Sequence, residues 1–170
     1  MSEDMKVIQT ANENVMPVIT IDDGSIDIPI QNQFGEKIGV FRFNPADINI
    51  VNRYNEVADQ FGEVVKPLID ANISPEGEGE DDESVRLLNE AGDKMADLMD
   101  YVLNGNSREA FFSKTHIFTP VGGMFYCEKV YEAIGSFISQ KFASEVKRVN
   151  VRMNQHIHGY RTGKHAKGRK

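Results

Sequence analysis

The chain has one cysteine and no tryptophan. A single thiol, Cys127, excludes an internal disulfide and fits a reducing compartment. No apolar run approaches the ~18 residues a membrane span needs. The opening MSEDMKVIQT has no apolar h-region, so no signal peptide is expected. Patterns that carry chemistry are missing as well. Gly122-Gly123 lacks the lysine and following Ser/Thr of a phosphate loop. His116, His156, His158 and His165 have no Cys pair or acidic motif beside them, and His-x-His spacing on a helix sends the two rings to different sides. Cys127 falls on an apolar stripe with no base at a useful spacing, and reads as a buried structural thiol. No catalytic residue, metal ligand or cofactor is therefore expected. The composition points to a protein that binds rather than one that catalyses.

What the chain does have is charge, unevenly divided. The formal net charge is −7, from 19 Lys and Arg against 26 Asp and Glu. Residues 147–170 hold 8 of the basic residues and no acid, so the first 146 carry 11 bases, 26 acids and a net −15. An acidic body with a basic end suggests polyionic contacts, within the chain or with a partner. In the tail, Tyr160, Arg161, Lys164, Lys167, Arg169 and Lys170 are the residues that could track phosphates. One aromatic among them is thin interleaving, and the acidic body repels nucleic acid, so a protein surface or the chain's own acidic linker is favoured as the contact.

The pattern predicts one α+β domain, mostly helical, over residues 17–158. A flexible arm (1–16) precedes it and a disordered basic tail (159–170) follows. The period-2 alternation of Ile26, Ile28 and Ile30 marks a half-buried strand, and Pro29 places it at an edge. Ile38–Phe43 reads as its partner, with Phe41 and Phe43 on one face, and Val18–Ile21 alternates weakly. A small antiparallel sheet of two or three strands follows, which needs about four helices to cover it. Asn44 and Pro45 open the first helix, with a stripe at Ile48, Val51, Tyr54 or Asn55, Ala58, Phe61, Val65 and Leu68, and Pro67 should kink or end it. SPEGEGEDDE (74–83), six acids and no apolar side chain, reads as a mobile linker. Ser84 then caps an acidic helix striped by Leu87, Leu88, Ala91, Met95, Leu98, Met99 and Val102. Asn104-Gly105 supplies its left-handed end, and Ser107 caps a short helix through Phe112. A last helix is predicted from about Met124 to Met153, striped by Cys127, Val130, Tyr131, Ile134, Ile138, Phe142, Val146, Val149 and Met153, and too long for the body to cover.

The stretch Leu87–Phe112 carries a family likeness. Phe41-Arg42-Phe43-Asn44 leads into a helix containing Tyr54-Asn55. An acidic helix then ends Asp100-Tyr101-Val102-Leu103-Asn104-Gly105-Asn106-Ser107, and Glu109-Ala110-Phe111-Phe112 follows. With the last helix running into a Tyr/Arg/Lys tail, this order resembles the small tail assembly chaperones of siphophages and prophages of Gram-positive bacteria. Asn104 stands where an aromatic is commoner in that group. The resemblance implies a non-enzymatic holdase in the bacterial host cytoplasm, not secreted and absent from the mature virion. Its client would be the tape-measure protein, kept soluble while tail-tube subunits polymerise around it. The tail-tube protein and further copies of this chain are the other implied partners, with no membrane. Client contact is expected at Leu98, Met99, Val102, Phe111 and Phe112, with the last helix a second candidate surface, and tail contacts at Arg161, Lys164, Lys167, Arg169 and Lys170. The alternatives are a structural tail or connector subunit of a phage particle, or a nucleic-acid-binding regulator using the basic tail.

Overall fold

The computed structural model describes residues 16–70 and 82–165, with side chains as far as Gln155. The expected arm, except Met16, and the linker residues 74–81 lie outside the described residues. The architecture is α+β and mostly helical, with four helices and two small hairpins among the described residues.

Strands β1 (Ile26–Gln31) and β2 (Lys37–Phe43) pair antiparallel, with Ile28 opposite Phe41 and Pro29 opposite Val40. β1 lies at the sheet edge, where a residue without an N–H is tolerated. The turn between them is organised by Asn32, whose Oδ1 accepts from the N–H groups of Phe34 and Glu36 at 2.9 and 3.0 Å. Val18–Ile21 joins neither strand and is exposed. Period-2 alternation on one face of β2 puts Phe41 and Phe43 in the core, their rings 4.4 Å apart and Phe111 5.0 Å from Phe41.

Helix α1 spans Asn49–Asp70. Its cap is Asp47 rather than Asn44: Asp47 Oδ1 accepts from Asn49 N–H at 2.9 Å, while Asn44 closes a local turn by accepting from Ala46 N–H at 2.8 Å. The expected stripe is also corrected in its first turns. Ile48, Val51 and Tyr54 are exposed, and Ile50, Val57, Phe61, Val64 and Leu68 face the core. Arg53 sets that rotation. It bridges Asp47 Oδ2 and the Val102 carbonyl, each at 2.9 Å, and so turns the Arg53–Val57 side of α1 inward. Pro67 lies inside the helix, which continues to Asp70. Only one i→i−4 bond depends on the missing N–H, and the helix is already near its end.

Helix α2 (Asp82–Leu103) begins two residues before the expected cap at Ser84 and takes up Asp82 and Glu83, the last two residues of the predicted linker. Acids in a first turn complement the positive end of the helix. Ala91, Met95, Ala96, Met99, Val102 and Leu103 are buried. Asn104, at φ 48°, gives the left-handed end expected of it. Helix α3 (Ser107–Phe112) follows at once. The segment to Gly123, read from sequence only as a break, forms a hairpin of β3 (Pro120–Val121) and β4 (Met124–Phe125). Gly122 and Gly123 both have positive φ, 59° and 81°, as a two-residue hairpin turn requires.

Helix α4 (Tyr126–His165) is 40 residues long, about 60 Å at the usual rise. It continues past Gly159, so residues 159–165 extend the helix where a disordered tail was expected. Cys127, Val130 and Ile134 are buried and Tyr131, Phe137 and Ile138 half-buried; from Ser139 to Gln155 every residue is exposed. The helix therefore leaves the body about a third of the way along.

Candidate functional site

The sequence places client contact at the α2–α3 joint, and the fold closes most of that surface. Met99, Val102 and Phe111 belong to the core, with Met99 at 0% exposure. Leu98 and Phe112 are half-buried against it. The joint is held by groups that sequence spacing does not reveal. Asn106 Oδ1 accepts from Arg42 N–H at 2.7 Å and its Nδ2 donates to the Val40 carbonyl at 3.1 Å. One side-chain amide thus serves β2 as a neighbouring strand would, satisfying a donor and an acceptor together. The expected cap at Ser107 is corrected. Its hydroxyl is fully buried and finds no partner among the described residues, and the N–H of Arg108 goes instead to Asp100 Oδ1 at 3.0 Å. The Arg108 guanidinium returns to α2, meeting Asp93 and Asp97 at 2.7 and 2.8 Å.

Two glycines admit this packing. A Cβ on Gly39 would lie 2.2 Å from the Ala110 carbonyl oxygen, and one on Gly105 2.8 Å from the Arg42 carbonyl oxygen. Backbone crosses backbone at both points, and a side chain at either forces α3 off β2.

Groups that might carry chemistry have structural surroundings. Cys127 is buried on α4, and burial, with the Glu128 charge beside it, pushes its thiol up to about 11. A thiol so held is almost wholly protonated at neutral pH and a poor nucleophile. Burial also raises the Tyr131 phenol. His116 Nδ1 accepts from Phe118 N–H at 3.2 Å, a local turn contact. Among the described residues no group of three or more His, Cys, Asp or Glu side chains is gathered to hold a metal ion, and no helix is long and apolar enough to cross a membrane.

The uncovered surface lies elsewhere, at the corner where the chain enters β1 and α4 leaves the body. Met16, Val18, Ile19 and Ile21 lie on a segment without regular secondary structure, with exposures from 77% to 87%. It ends at Asp22 beside an apolar groove. One wall of the groove is Ile26, Pro45, Ala46 and Ile48, and the other is α4 with Phe142, Val146 and Val149. Met153 continues the α4 stripe outward, at 56% exposure. Phe142, Val146, Val149 and Met153 follow i, i+4, i+7, i+11 and share one helix face. The α4 wall also carries Lys141, Glu145 and Arg148, with Arg148 paired to Glu145, and the loop wall carries Asp22. Of the tail residues singled out in the sequence, Arg161 and Lys164 fall in the last turns of α4, while Lys167, Arg169 and Lys170 lie outside the described residues.

Comparison of the chain with protein-family models, curated proteins and solved structures finds no match.

Proposed function

We propose that the protein is a non-enzymatic tail assembly chaperone that binds the tape-measure protein and keeps it soluble until the tail tube forms around it. The observation that supports this reading is the uncovered apolar surface of segment 16–21 and of the α4 stripe from Phe142 to Met153. Monomeric proteins rarely expose contiguous apolar patches beyond a few hundred Å² unless the patch binds something. Met16, Val18, Ile19 and Ile21 on one segment and Phe142, Val146, Val149 and Met153 on the other are all exposed. A holdase needs this kind of surface: it presents apolar area to a helical client, and it needs no bond-making machinery. The order of elements and the Asp100–Phe112 stretch supply the family likeness, and the surface supplies a means. The client-binding site moves accordingly, from the buried α2–α3 joint to the corner, with Leu98 and Phe112 left as a minor contribution.

Co-expression with the tape-measure protein tests the reading. The expected result is tape-measure protein in the soluble fraction only when this chain is present, and loss of that effect for Val146→Asp combined with Val149→Asp. A tape-measure protein equally insoluble with and without this chain overturns it. Stoichiometric recovery of the chain from purified virions by mass spectrometry also counts against it, in favour of a structural tail subunit.

A further inference from the structure

The far end of α4 is basic and open, and the most acidic stretch of the chain is anchored at the opposite pole of the molecule. We propose that copies of the chain associate head to tail, the basic face of α4 beyond Glu145 on one copy holding the acidic segment 76–83 of the next. The contact is one of charge and is independent of the client-binding reading, which rests on apolar surface.

Neither block is neutralised from within. Residues 145–170 hold eight bases and one acid, Glu145, which Arg148 engages at 2.8 Å, and their net charge is +7. Residues 66–90 hold eight acids and two bases, Lys66 and Arg86, with Arg86 engaged by Glu83 and Glu90, and their net charge is −6. On α4, Lys147, Arg148, Val151, Arg152 and Gln155 share one exposed face. Lys147 and Arg152 form no ion pair among the described residues. Single exposed ion pairs contribute little, so a contact of this kind needs several charges at once, which both blocks supply.

Packing keeps the two blocks of one copy apart. Tyr131 meets Phe61 with ring centroids 5.8 Å apart, and Phe142 to Val149 lie across a groove from Ile48. Helix α4 therefore runs from the middle of α1 out past its start, while Asp70 ends α1 in the other direction. Pro67 on α1 shares a groove with Leu87 and Glu90 on α2, so the start of α2 lies at that same far end. Counting the helical rise from Phe61 to Asp70 one way and from Tyr131 to Lys147 the other, the blocks begin about 35 Å apart. The eleven residues between Asp70 and Asp82, held at both ends, reach only ~20 Å at full stretch. The five residues after His165 add ~17 Å from a point farther out still. The contact with the chain's own acidic linker expected from the sequence is thus out of reach within one copy and open between two. Each copy carries one block of each sign, so the contact is heterologous and can repeat from copy to copy. Phosphates of a nucleic acid would also satisfy the bases, but they would be brought beside the acidic remainder of the chain, of net −15 over the first 146 residues.

Sedimentation velocity of the full chain tests the proposal. The chain should associate in a concentration-dependent way at an ionic strength of about 0.01 M, and about tenfold more weakly at about 0.15 M, where the Debye length falls from about 30 Å to about 8 Å. Two variants each remove one half of the contact. The first combines Glu76→Gln, Glu78→Gln, Glu80→Gln and Asp81→Asn; the second combines Lys147→Glu, Arg152→Glu and Arg161→Glu. Each alone should stay monomeric where the parent associates, with the parent's circular dichroism spectrum. Mixed in equal amounts, they should form a heterodimer and nothing larger, because the first keeps a basic α4 end and the second keeps an acidic segment. Misfolding of either variant, or an interface of one surface against itself, gives no such rescue. A parent that is monomeric at low ionic strength, association indifferent to salt, association retained by either variant, or a mixture that stays monomeric overturns the proposal. So does association that is lost on nuclease treatment, which makes nucleic acid the bridge.

Discussion

Asn106 holds two backbone groups of β2 with one side chain, and nothing else near it does the same work. Cutting it to alanine leaves the Arg42 N–H and the Val40 carbonyl without their partner while the surrounding packing stays. Unmade hydrogen bonds of partly buried groups cost about 1–3 kcal/mol. We expect Asn106→Ala to lower the urea midpoint by a free energy in that range with the m-value unchanged. Asn106→Asp should recover less than half of the loss, because a carboxylate can accept from Arg42 but has no N–H for Val40. Neither effect is legible in the sequence. Asn106 follows a Gly and precedes a Ser in what reads as an ordinary helix-to-helix turn, and its partners are more than sixty positions away. Phe41 and Phe43 are the opposite case. Their alternation in a strand already assigns them to one face, and the core takes both.

At the scale of elements, the joints between helices depend on charged groups that satisfy helix ends. Arg53 donates to the Val102 carbonyl near the end of α2 and to Asp47, the cap of α1. Burial pushes the Asp47 carboxyl up, but the Arg53 guanidinium and the Asn49 N–H together outweigh it and leave the group below the usual carboxylate range. A carboxylate with a lowered folded pKa contributes stability above its unfolded pKa and loses it as pH falls through the folded value. Asp47→Asn keeps an oxygen to cap α1 and removes the charge facing Arg53. The variant should therefore be less stable than the parent at neutral pH, and the difference should shrink below about pH 4 and disappear once the parent carboxylate is protonated. Thermal unfolding of both chains across pH checks it; a difference constant with pH refutes the assignment.

The elements themselves follow closely from the sequence, and their ends less so. The β1–β2 hairpin, the four helices and the Asn104 turn come from local patterns: alternation, helical spacing and a residue suited to positive φ. The buried stripe of α1 differs from the expected one because Ile48, Val51 and Tyr54, which are exposed, also recur at helical spacing. Periodicity gives the existence of an apolar face. Which of two overlapping faces turns inward depends on Arg53 and its distant partner. The β3–β4 hairpin has a local signal, two glycines between short apolar pairs, but strands of two residues are too short for alternation to show.

For the whole molecule, α4 divides into a packed part and an open part. From Ser139 to Gln155 it is exposed, with Phe142 to Val149 beside the loops that flank β1 and α1. A chain ending at Asn150 should unfold at the same urea midpoint as the full one, since residues 151–155, the removed ones whose side chains are described, are all exposed. On the proposed function it should nonetheless keep less tape-measure protein soluble on co-expression, having lost the exposed Met153. A lowered midpoint would mean that the distal helix is part of the fold.

The sequence by itself determined the class of the fold, the core strand, the order of elements and an excess of helix at one end. These rest on period, turn chemistry and length, which act between near neighbours. It also determined that charge is divided between an acidic body and a basic end. Only the tertiary structure decided which apolar residues are available. Met99 and Val102 on α2 have the same i, i+3 spacing as Val146 and Val149 on α4. The first set is covered because α1, β2 and α3 converge on it, and the second is open because α4 outruns the body. Burial is a property of what lies opposite, and a one-dimensional pattern carries no record of that.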